Sequence, residues 1–574
     1  MRALIHKILT TKLWWLWLLI FVFVLNFLAS EFHSRYDLTK EKRYTLSKAT
    51  KNLLRNLDGP VEINVLIDGK GLPSEVKKLQ NSIKEFLNDC RDYGRGKLTY
   101  RFTNPYKDLS DTAQKYLEDS LRYFYDIYPS YLNSPEKIGD KLEIIKVIHG
   151  ALIKYGDTTI GVNLLKGVKN YGTEREQRAS LYNDIEATLE YRFASAIEKI
   201  TAKTKPVIAY AKGHGEGWGY NVNDAVRTLF REYNADTINI KTIPYIPSEI
   251  NALVILKPTQ PFSESEKFKI DQFVMRGGRV FWMIDNMYAE FDSLAKSQGF
   301  TAYDRGLNLE DILFRYGARI NLNILQDMQC DKLPQMAGGN GEAQQTQFVD
   351  WPYFPVLNGT NHPISKNLDG VRAIFPNTVD TIKVNGVKKT YLLRSSANAR
   401  TVQPPVIINF DFIRMAPDIR QFTVKDTGVA VLLEGQFKSL YEGRVGKATI
   451  DSLNAWGVPY RSVSEENKMI VVADGDIAMN QVSQFEGPLP MGYNLYTKYE
   501  FANKEFFTNA LEYLVNPSGI LETRAKEFTL RLLDPVKVKD QKTTWQFINI
   551  VLPVLLIILA GWIYQQIRKR KYAS

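Results

Sequence analysis

The sequence predicts a protein of the α/β class, with two α/β domains placed between an N-terminal and a C-terminal transmembrane helix. Short apolar segments rich in β-branched residues alternate with amphipathic segments of helical period, a pattern typical of strands that alternate with helices. Both ends of the 574-residue chain carry long apolar stretches with basic residues beside them. Together, these features predict two water-exposed domains held at a membrane.

The two apolar ends predict the topology. The first stretch, Leu13–Ala29, follows three basic residues, and the second, Phe547–Tyr564, precedes the basic cluster Arg568–Lys571. Because basic residues favour the cytoplasmic side of a span, both termini are predicted in the cytoplasm and the domains in the periplasm, at the inner membrane. A cleaved signal peptide is the alternative for the first stretch, which is short for a span. Its tryptophans favour an anchor, since tryptophan prefers the membrane interface.

Five segments follow along the chain. Residues 1–30 are predicted as the cytoplasmic N-terminus and anchor, 31–203 as a membrane-proximal α/β domain, and 204–518 as a larger α/β domain. A linker, 519–545, then leads to the transmembrane helix and basic cytoplasmic tail at 546–574. Within the membrane-proximal domain, helices and strands alternate. These elements are, in order, a helix near 47–57, a strand at Val61–Ile67, a helix from Ser74, a strand at Lys97–Phe102, paired strands at Glu143–Tyr155 and Thr158–Leu164, and a helix at Ala179–Ile200.

The larger domain is organised around Lys205–Gly219, where a short buried strand runs into a turn with glycine at every second position from 213 to 219. An amphipathic helix follows, and then a strand at Asn251–Pro258, a helix at Glu264–Met275 and a strand at Arg279–Asp285. Strand, glycine turn and helix open a βαβ unit, so this domain is predicted as a doubly wound sheet, flavodoxin-like or glutamine-amidotransferase-like. The glycine turn then lies at the edge where such sheets bind ligands.

Polar side chains follow several of the predicted core strands, at what should be one edge of the sheet. One histidine and several carboxylates could hold a divalent metal that activates water, but no second histidine stands at ligand spacing, so no metal ligand is assigned. A structural turn is favoured, in which glycines allow a close approach of the backbone and Glu216 or His214 hydrogen-bonds the turn. A cradle for a small or anionic ligand at the helix N-terminus stays open. The predicted ligand-binding cluster is Gly213, His214, Gly215, Glu216, Asp285 and Asp474, with Asp476 nearby.

Several chemistries lack their motif. Trp218 stands where a dinucleotide-binding turn needs its third glycine, and an envelope location also argues against such a cofactor. No Gly-x-x-x-x-Gly-Lys-[Ser/Thr] occurs, so the chain is not expected to hydrolyse ATP itself. No Gly-x-Ser-x-Gly elbow occurs, and Ser74–Lys77 matches Ser-x-x-Lys without the Lys-Thr-Gly that should accompany it. We therefore predict no catalytic residue, no enzyme activity and no cofactor.

Composition limits the partners. The net charge of +11 is small for this length and no basic block with interleaved aromatics stands out, so no nucleic-acid partner is expected. Cys90 and Cys330 are the only cysteines, too few for a disulfide framework or a cysteine zinc site.

Three stretches carry a resemblance to a known family. Gly213–Glu216 after its strand, the segment from Ala252 to Val280, and the juxtamembrane stretch Asp37–Ser47 resemble the auxiliary components of bacterial ABC transporters, in particular the GldG-like proteins associated with gliding motility. The resemblance implies an accessory subunit, described in that family as substrate-binding, that works with a separate GldF-like permease and a GldA-like ATPase. An unknown envelope partner or a small ligand is a further candidate. The alternatives are an envelope metal-dependent hydrolase that uses His214, Glu216 and Asp285, or a mechanical envelope scaffold.

Overall fold

The computed structural model describes most of the chain. The Asp37–Ser47 stretch and the predicted linker 519–545 lie for the most part outside the described residues. The chain divides into one compact unit that ends at Lys526 and another that begins at Glu527. The described residues are 14–31, 45–69, 71–138, 141–165, 174–297, 299–336, 346–410, 418–525, 541 and 543–572.

The helices are numbered here in chain order. Helix α1 is Trp14–Glu31, α2 Lys48–Arg55, α3 Ser74–Tyr93, α4 Asp111–Tyr125, α5 Glu174–Thr201, α6 Asn223–Glu232, α7 Glu264–Met275, α8 Phe291–Ser297, α9 Glu310–Tyr316, α10 Lys447–Ala455, α11 Asn503–Val515 and α12 Leu552–Tyr572.

The strands are numbered in the same way. Strand β1 is Val61–Val65, β2 Leu98–Phe102, β3 Pro129–Ile138, β4 Lys141–Ile148, β5 Gly150–Tyr155, β6 Thr158–Asn163, β7 Val207–Lys212, β8 Asn234–Asn239, β9 Ala252–Leu256, β10 Arg279–Met283, β11 Met287–Tyr288, β12 Gly299–Asp304, β13 Ala318–Ile320, β14 Ile324–Asp327, β15 Cys330–Met336, β16 Thr346–Gly359, β17 Val371–Arg372, β18 Val379–Thr381, β19 Val387–Arg394, β20 Ala399–Val402, β21 Val406–Asn409, β22 Gly428–Lys438, β23 Val463–Val472, β24 Asn480–Ser483 and β25 Gly487–Met491.

A four-stranded sheet in the order β2-β1-β5-β6 forms the first part of the fold. Strands β1 and β2 are parallel, whereas β1 pairs with β5 in the antiparallel sense. Leu79 and Ile83 of α3 and Ile185 and Phe193 of α5 lie in one buried core with the inward residues of this sheet. The helical period of these residues places them on one face of each helix, which is why the two helices cover the sheet.

A ten-stranded sheet forms the second part, and its parallel half has the order β8-β7-β9-β10-β23. Numbered along the chain, these strands follow the order 2-1-3-4-5 of doubly wound sheets. Successive residues of a strand point to opposite faces, so Tyr210 packs with α6 and α11 while its neighbour Ala209 packs with α7 and α9. The predicted α/β class is confirmed.

The other half of this sheet is antiparallel. Strand β22 pairs with β23, and β19, β16 and β15 continue outward in sequence. The segments of β19 and β22 are rich in apolar and β-branched residues, which is typical of strands. This composition does not indicate which sheet these strands join. Their addition leaves the carboxyl ends of the parallel strands as one edge of a larger, mixed sheet.

The C-terminal unit contains the one candidate membrane span among the described residues, Thr543–Arg570, a 28-residue apolar helix with no buried part. Helix α1 at the other end is 18 residues long, and its apolar side chains from Leu19 to Leu25 are exposed. A span at α1 and the placement of the termini stay predictions.

Candidate functional site at the carboxyl edge of the parallel strands

The turn after β7 and the loop after β9 meet where the strand order reverses. The next strands of the chain, β8 and β10, lie on opposite sides of this pair, and ligands of doubly wound sheets bind in the crevice that results. The His214 carbonyl accepts hydrogen bonds from the backbone N–H groups of Thr259, at 2.7 Å, and Gln260, at 2.9 Å. The two segments are therefore held together through their main chains.

The predicted glycine turn needs glycine at two positions. Gly215 has a φ of +80°, and a Cβ there would lie 1.9 Å from Thr259 Oγ1. Gly213 has a φ of +117°, and its Cβ would lie 2.6 Å from Asn239 Oδ1. Residues with a side chain rarely adopt this backbone region, so both conformation and space require glycine.

His214 is fully buried and lies between two carboxylates. Its ring stacks on Phe262 with the centroids 3.7 Å apart, and its Nε2 lies 3.2 Å from Glu266 Oε2. On the other side, Nδ1 lies 3.7 Å from Glu216 Oε1, beyond hydrogen-bond distance, while Glu216 Oε2 accepts the His214 backbone N–H at 2.7 Å. Glu216 thus hydrogen-bonds the turn, and His214 links it to the start of α7.

Glu266 also caps α7. Its carboxylate accepts the Ser263 backbone N–H at 2.7 Å, and its own N–H donates to the Ser263 hydroxyl, which makes a capping box. Burial opposes the charge on this carboxylate, but the hydrogen bonds from Ser263 and His214 outweigh burial and lower the pKa of Glu266 to about 2. The carboxylate form is therefore part of the folded structure.

A second charged group surrounds Lys257, which directly follows β9. Its Nζ lies 2.5 Å from Asp476 Oδ1, 3.0 Å from Glu290 Oε2 and 3.3 Å from Asp285 Oδ2. The lysine is buried, and these carboxylates outweigh the effect of burial and raise its pKa well above the usual value. Arg305 forms a further ion pair with Glu290. An ammonium ion thus occupies the centre of a carboxylate ring.

The carboxylates of Asp285 and Asp474 also bind backbone N–H groups. Asp285 Oδ1 accepts from Gly475 at 2.5 Å, and Asp474 accepts from Asp476 at 2.7 Å and from Ile374 at 2.8 Å. Lys257 has a left-handed φ of +48°, an uncommon conformation for a residue with a side chain. Such strain persists only where the surroundings hold it, and here four carboxyl groups and their backbone partners do so.

Mutual proximity changes how these carboxyl groups ionise. Burial raises the pKa of Asp474 well above its ordinary value, and the charges of Asp476 and Asp285 add to the effect. Burial likewise raises the pKa of Asp476 to about 7, although Lys257 opposes that rise. The group therefore holds more acidic residues than its single lysine neutralises.

Among the described residues, Asp285, Asp474 and Asp476 are those that could hold a metal ion, since one oxygen of each lies within 4.8 Å of the others. Lys257 Nζ already lies within ion-pair distance of two of them. The donor set therefore fits a lysine as its cation, and His214 and Glu216 are not members of it.

A cavity of about 520 Å³ opens at this edge, within the usual range for small-molecule sites. The residues that line it include Gly215, Lys257, Thr259 and Asp476, and Arg372 of β17. Among the predicted cluster only Gly215 lines this cavity, together with the nearby Asp476. Gly213, His214, Glu216, Asp285 and Asp474 are not among the lining residues.

The structure separates the predicted cluster into two groups, one around His214 and one around Lys257. Sequence reasoning missed Lys257, Glu290 and Glu266. Glu266 carried a signal, because Ser263 followed three residues later by glutamate is the pattern of a capping box. Lys257 carried no such signal, because a lysine that follows a strand is usually exposed to solvent.

Comparison with known proteins places the chain. A family model described as an ABC-type uncharacterized transport system, for the auxiliary component, matches residues 205–510, and a domain of unknown function matches 40–154. An uncharacterized protein of Borreliella burgdorferi (strain ATCC 35210 / DSM 4680 / CIP 102532 / B31) is 23% identical over 423 residues, which cover 72% of this chain and 75% of that protein.

Solved structures show weaker likenesses. The mmIFT52 N-terminal domain aligns with 54% of this chain and 97% of its own at 11% identity and a TM-score of 0.30. The exo-beta-1,4-mannosidase Op5Man5 from Opitutaceae bacterium strain TAV5 aligns with 59% of this chain and 39% of its own at 11% identity and a TM-score of 0.19. The family match covers more than half of the sequence. The chain belongs to the family of auxiliary components of ABC-type uncharacterized transport systems.

Proposed function

We propose that the chain is a non-catalytic, membrane-anchored accessory subunit of the GldG-like kind, associated with gliding motility and held on the periplasmic side of the inner membrane. Family membership supports a transport role, and the exposed apolar helix Thr543–Arg570 supports membrane attachment. Leu13–Ala29 is the second proposed anchor, with both termini in the cytoplasm. The domain limits proposed between the anchors are 31–203 and 204–518.

The partners are a GldF-like permease and a GldA-like ATPase. An ABC-type system takes its energy from ATP, and this sequence has no phosphate loop. The apolar side chains of the C-terminal helix are exposed all round, which suits contact with lipid and with the permease's own helices. The accessory subunit then contributes its outer domains to the complex and leaves ATP hydrolysis to its partner.

The ion-pair network of Lys257 supports the non-catalytic assignment, because its cavity-lining carboxylates, Asp476 and Glu290, already bind the ammonium ion. A general acid, base or metal ligand must present a free atom to its substrate. Here the oxygens of Asp285 and Asp474 bind backbone N–H groups or the ammonium ion, and the ring of His214 is stacked and fully buried. These groups shape the loops of the switch-point cavity, which we propose receives a small ligand or a segment of an envelope partner.

Co-purification tests the assignment. The full chain, expressed with a GldF-like permease and a GldA-like ATPase of the same organism and extracted in detergent, should carry both partners through size-exclusion chromatography. A matched variant in which unrelated apolar helices replace Leu13–Ala29 and Phe547–Tyr564 should lose both partners. Retention of the partners by that variant would move the contact to the outer domains, and absence of both from the unmodified chain would contradict the proposal.

A metal-dependent hydrolase is the second candidate, because Asp285, Asp474 and Asp476 lie close enough to share an ion. Metal analysis of the purified full chain separates the two functions. The accessory-subunit proposal predicts that the purified chain contains less than stoichiometric metal and that Asp474→Asn does not change this metal content. Stoichiometric metal that Asp474→Asn removes would favour the hydrolase.

A further inference from the structure

A second and larger cavity, of about 900 Å³, lies away from the switch point. It is a groove between α9 and the strand pair β13–β18, and it reaches the end of β22. Apolar side chains form most of its wall, and two of them stand open to solvent: Phe314 is 51% exposed and Leu322 40% exposed. The apolar wall consists of Phe314, Ile320, Leu322, Ile382, Val384 and Leu440.

Three basic residues line the same groove without an acidic partner. Arg319, Lys383 and Lys438 are all exposed, and among the described residues none of them has a carboxylate within ion-pair distance. They come from three separate elements: β13, the turn after β18, and the end of β22. Residues distant in sequence thus bring like charge to one apolar surface.

The other charged residues of the wall are mostly paired. Arg315 forms an ion pair with Glu442 at 2.7 Å, and Asp311 with Lys267 at 2.8 Å. Glu310 is the one lining carboxylate for which the described residues show no partner. The net charge of the unpaired residues on the groove is therefore positive.

The apolar surface and the positive charge of the groove would each bind a different part of a ligand. Contiguous exposed apolar side chains on a soluble domain mark a binding surface, because their exposure to water is unfavourable. Several unpaired cations on one surface attract and orient an anion. One molecule that satisfies both has a long apolar chain and an anionic head.

We propose that this groove binds a long-chain anionic amphiphile. The acyl chain of the amphiphile lies along the apolar wall that includes Phe314 and Leu322. Its anionic head contacts Arg319, Lys383 and Lys438. A free fatty acid and an anionic phospholipid share this chemistry, and a membrane-attached chain has access to both. The site rests on the groove alone and not on the transport function proposed above.

The test uses the full chain in phosphatidylcholine nanodiscs and palmitic acid that carries a photoreactive diazirine at its chain end. After irradiation, peptide mapping should find the label in 310–322 or 382–385. Unlabelled palmitate should compete, and an uncharged monoacylglycerol of the same chain length should not. Label confined to the membrane helix, or equal competition by the uncharged lipid, would overturn the proposal.

Charge reversal provides the matched comparison. Arg319→Glu, Lys383→Glu and Lys438→Glu together should reduce groove labelling roughly tenfold, at a fraction of a kcal/mol to 1 kcal/mol for each exposed contact. The control combines Lys107→Glu, Lys425→Glu and Lys447→Glu, which change the net charge equally at exposed positions elsewhere. Equal loss in both triple variants would show a general charge effect and overturn the site.

A neutral variant covers the case in which the groove triple variant fails to fold, as judged by circular dichroism. Leu322→Trp adds volume to the apolar wall without changing charge, and it should also reduce labelling. Unchanged labelling in Leu322→Trp, with the probe still mapped to 310–322, would contradict chain binding along this wall. A second set of nanodiscs with phosphatidylglycerol identifies the source: suppressed labelling indicates the phospholipid, and undiminished labelling indicates the fatty acid.

Discussion

Two groups of buried ionisable side chains lie at the same edge of the sheet, and their carboxylates are paired in different ways. Around Lys257 an ammonium ion faces the carboxylates of Asp285, Asp476 and Glu290. Around His214 an imidazole lies between two carboxylates, and among the described residues His214 Nδ1 and Glu216 Oε1 are buried without a hydrogen-bond partner. The first group is closed by ion pairs, whereas the second leaves two polar atoms unsatisfied.

The difference extends to protonation. In the His214 group, hydrogen bonds outweigh burial and lower the pKa of Glu266 to about 2. In the Lys257 group, burial and neighbouring carboxylates raise the pKa of Asp476 to about 7 despite the lysine. Burial by itself therefore does not decide the ionisation of a carboxyl group; the donors and the neighbouring charges that face it contribute as well.

The largest effect is expected for Lys257→Met. The substitution leaves buried carboxylates without their cation, and removal of one partner of a buried ion pair costs about 3–5 kcal/mol. Thermal or chemical unfolding of the full chain in detergent measures the loss. Lys388→Met is the control, because Lys388 is an exposed lysine whose ion pair with Glu434 is 4.0 Å long, and the stability of this variant should barely differ from wild type. Equal stability of Lys257→Met and wild type would show that the ring is not a structural ion pair.

Gly215→Ala should come second. Left-handed backbone costs a residue with a side chain roughly 1–2 kcal/mol, and overpacking against Thr259 adds about 1–3 kcal/mol. Gly277→Ala separates the two causes, because Gly277 has a φ of +95° but nothing within 4 Å of the new Cβ. It should show only the backbone cost in the same unfolding assay. A double variant, Gly215→Ala with Thr259→Ala, should recover part of the loss; no recovery would remove the contact from the explanation.

His214→Ala should have the third effect. It removes the ring stacked on Phe262 and the hydrogen bond to Glu266, for a loss of about 1–3 kcal/mol. Glu266 keeps its bonds to Ser263, so α7 should retain its start. Assembly with the permease and ATPase should persist in this variant. A fully stable but inactive His214→Ala protein would instead assign the histidine to chemistry.

The last expected effect is a pH dependence. Between the unfolded pKa of about 3.9 and the folded pKa of about 7, folded Asp476 keeps a proton that the unfolded chain releases, so this residue's contribution to stability falls as pH rises. Asp476→Asn should flatten the unfolding free energy between pH 4 and pH 7, by at most about 1.4 kcal/mol per pH unit.

Glu266 gives the opposite sign and serves as the comparison. Its pKa is lowered to about 2, so its contribution is present above the unfolded pKa of about 4.3 and is lost as pH falls towards 2. Glu266→Gln should therefore lower the free energy of unfolding by a constant amount between pH 5 and pH 7, and remove the Glu266 part of its fall on the acid side. Identical pH profiles for both variants would contradict the distinction between the two groups.

Local patterns predicted much of the fold. The helix predicted at Glu264–Met275 is α7, since a capping box begins it and glycines follow it. The strand predicted from Arg279 is β10. Capping and burial leave a mark within a few residues, so a single sequence shows them. The antiparallel half of the large sheet left no such mark, because strand pairing joins distant segments.

The sequence by itself determined which residue types stand at the ends of the core strands, and that the turn at 213–219 has glycine at every second position. Only the tertiary structure decided which of those side chains meet. Lys257 reaches Asp476 across 219 residues, and His214 reaches Glu266 across 52. The order of strands in the sheet sets these contacts: β10 lies between β9 and β23, which brings three strand ends to one lysine. No local propensity encodes that order, because it depends on which apolar faces pack together in the whole domain.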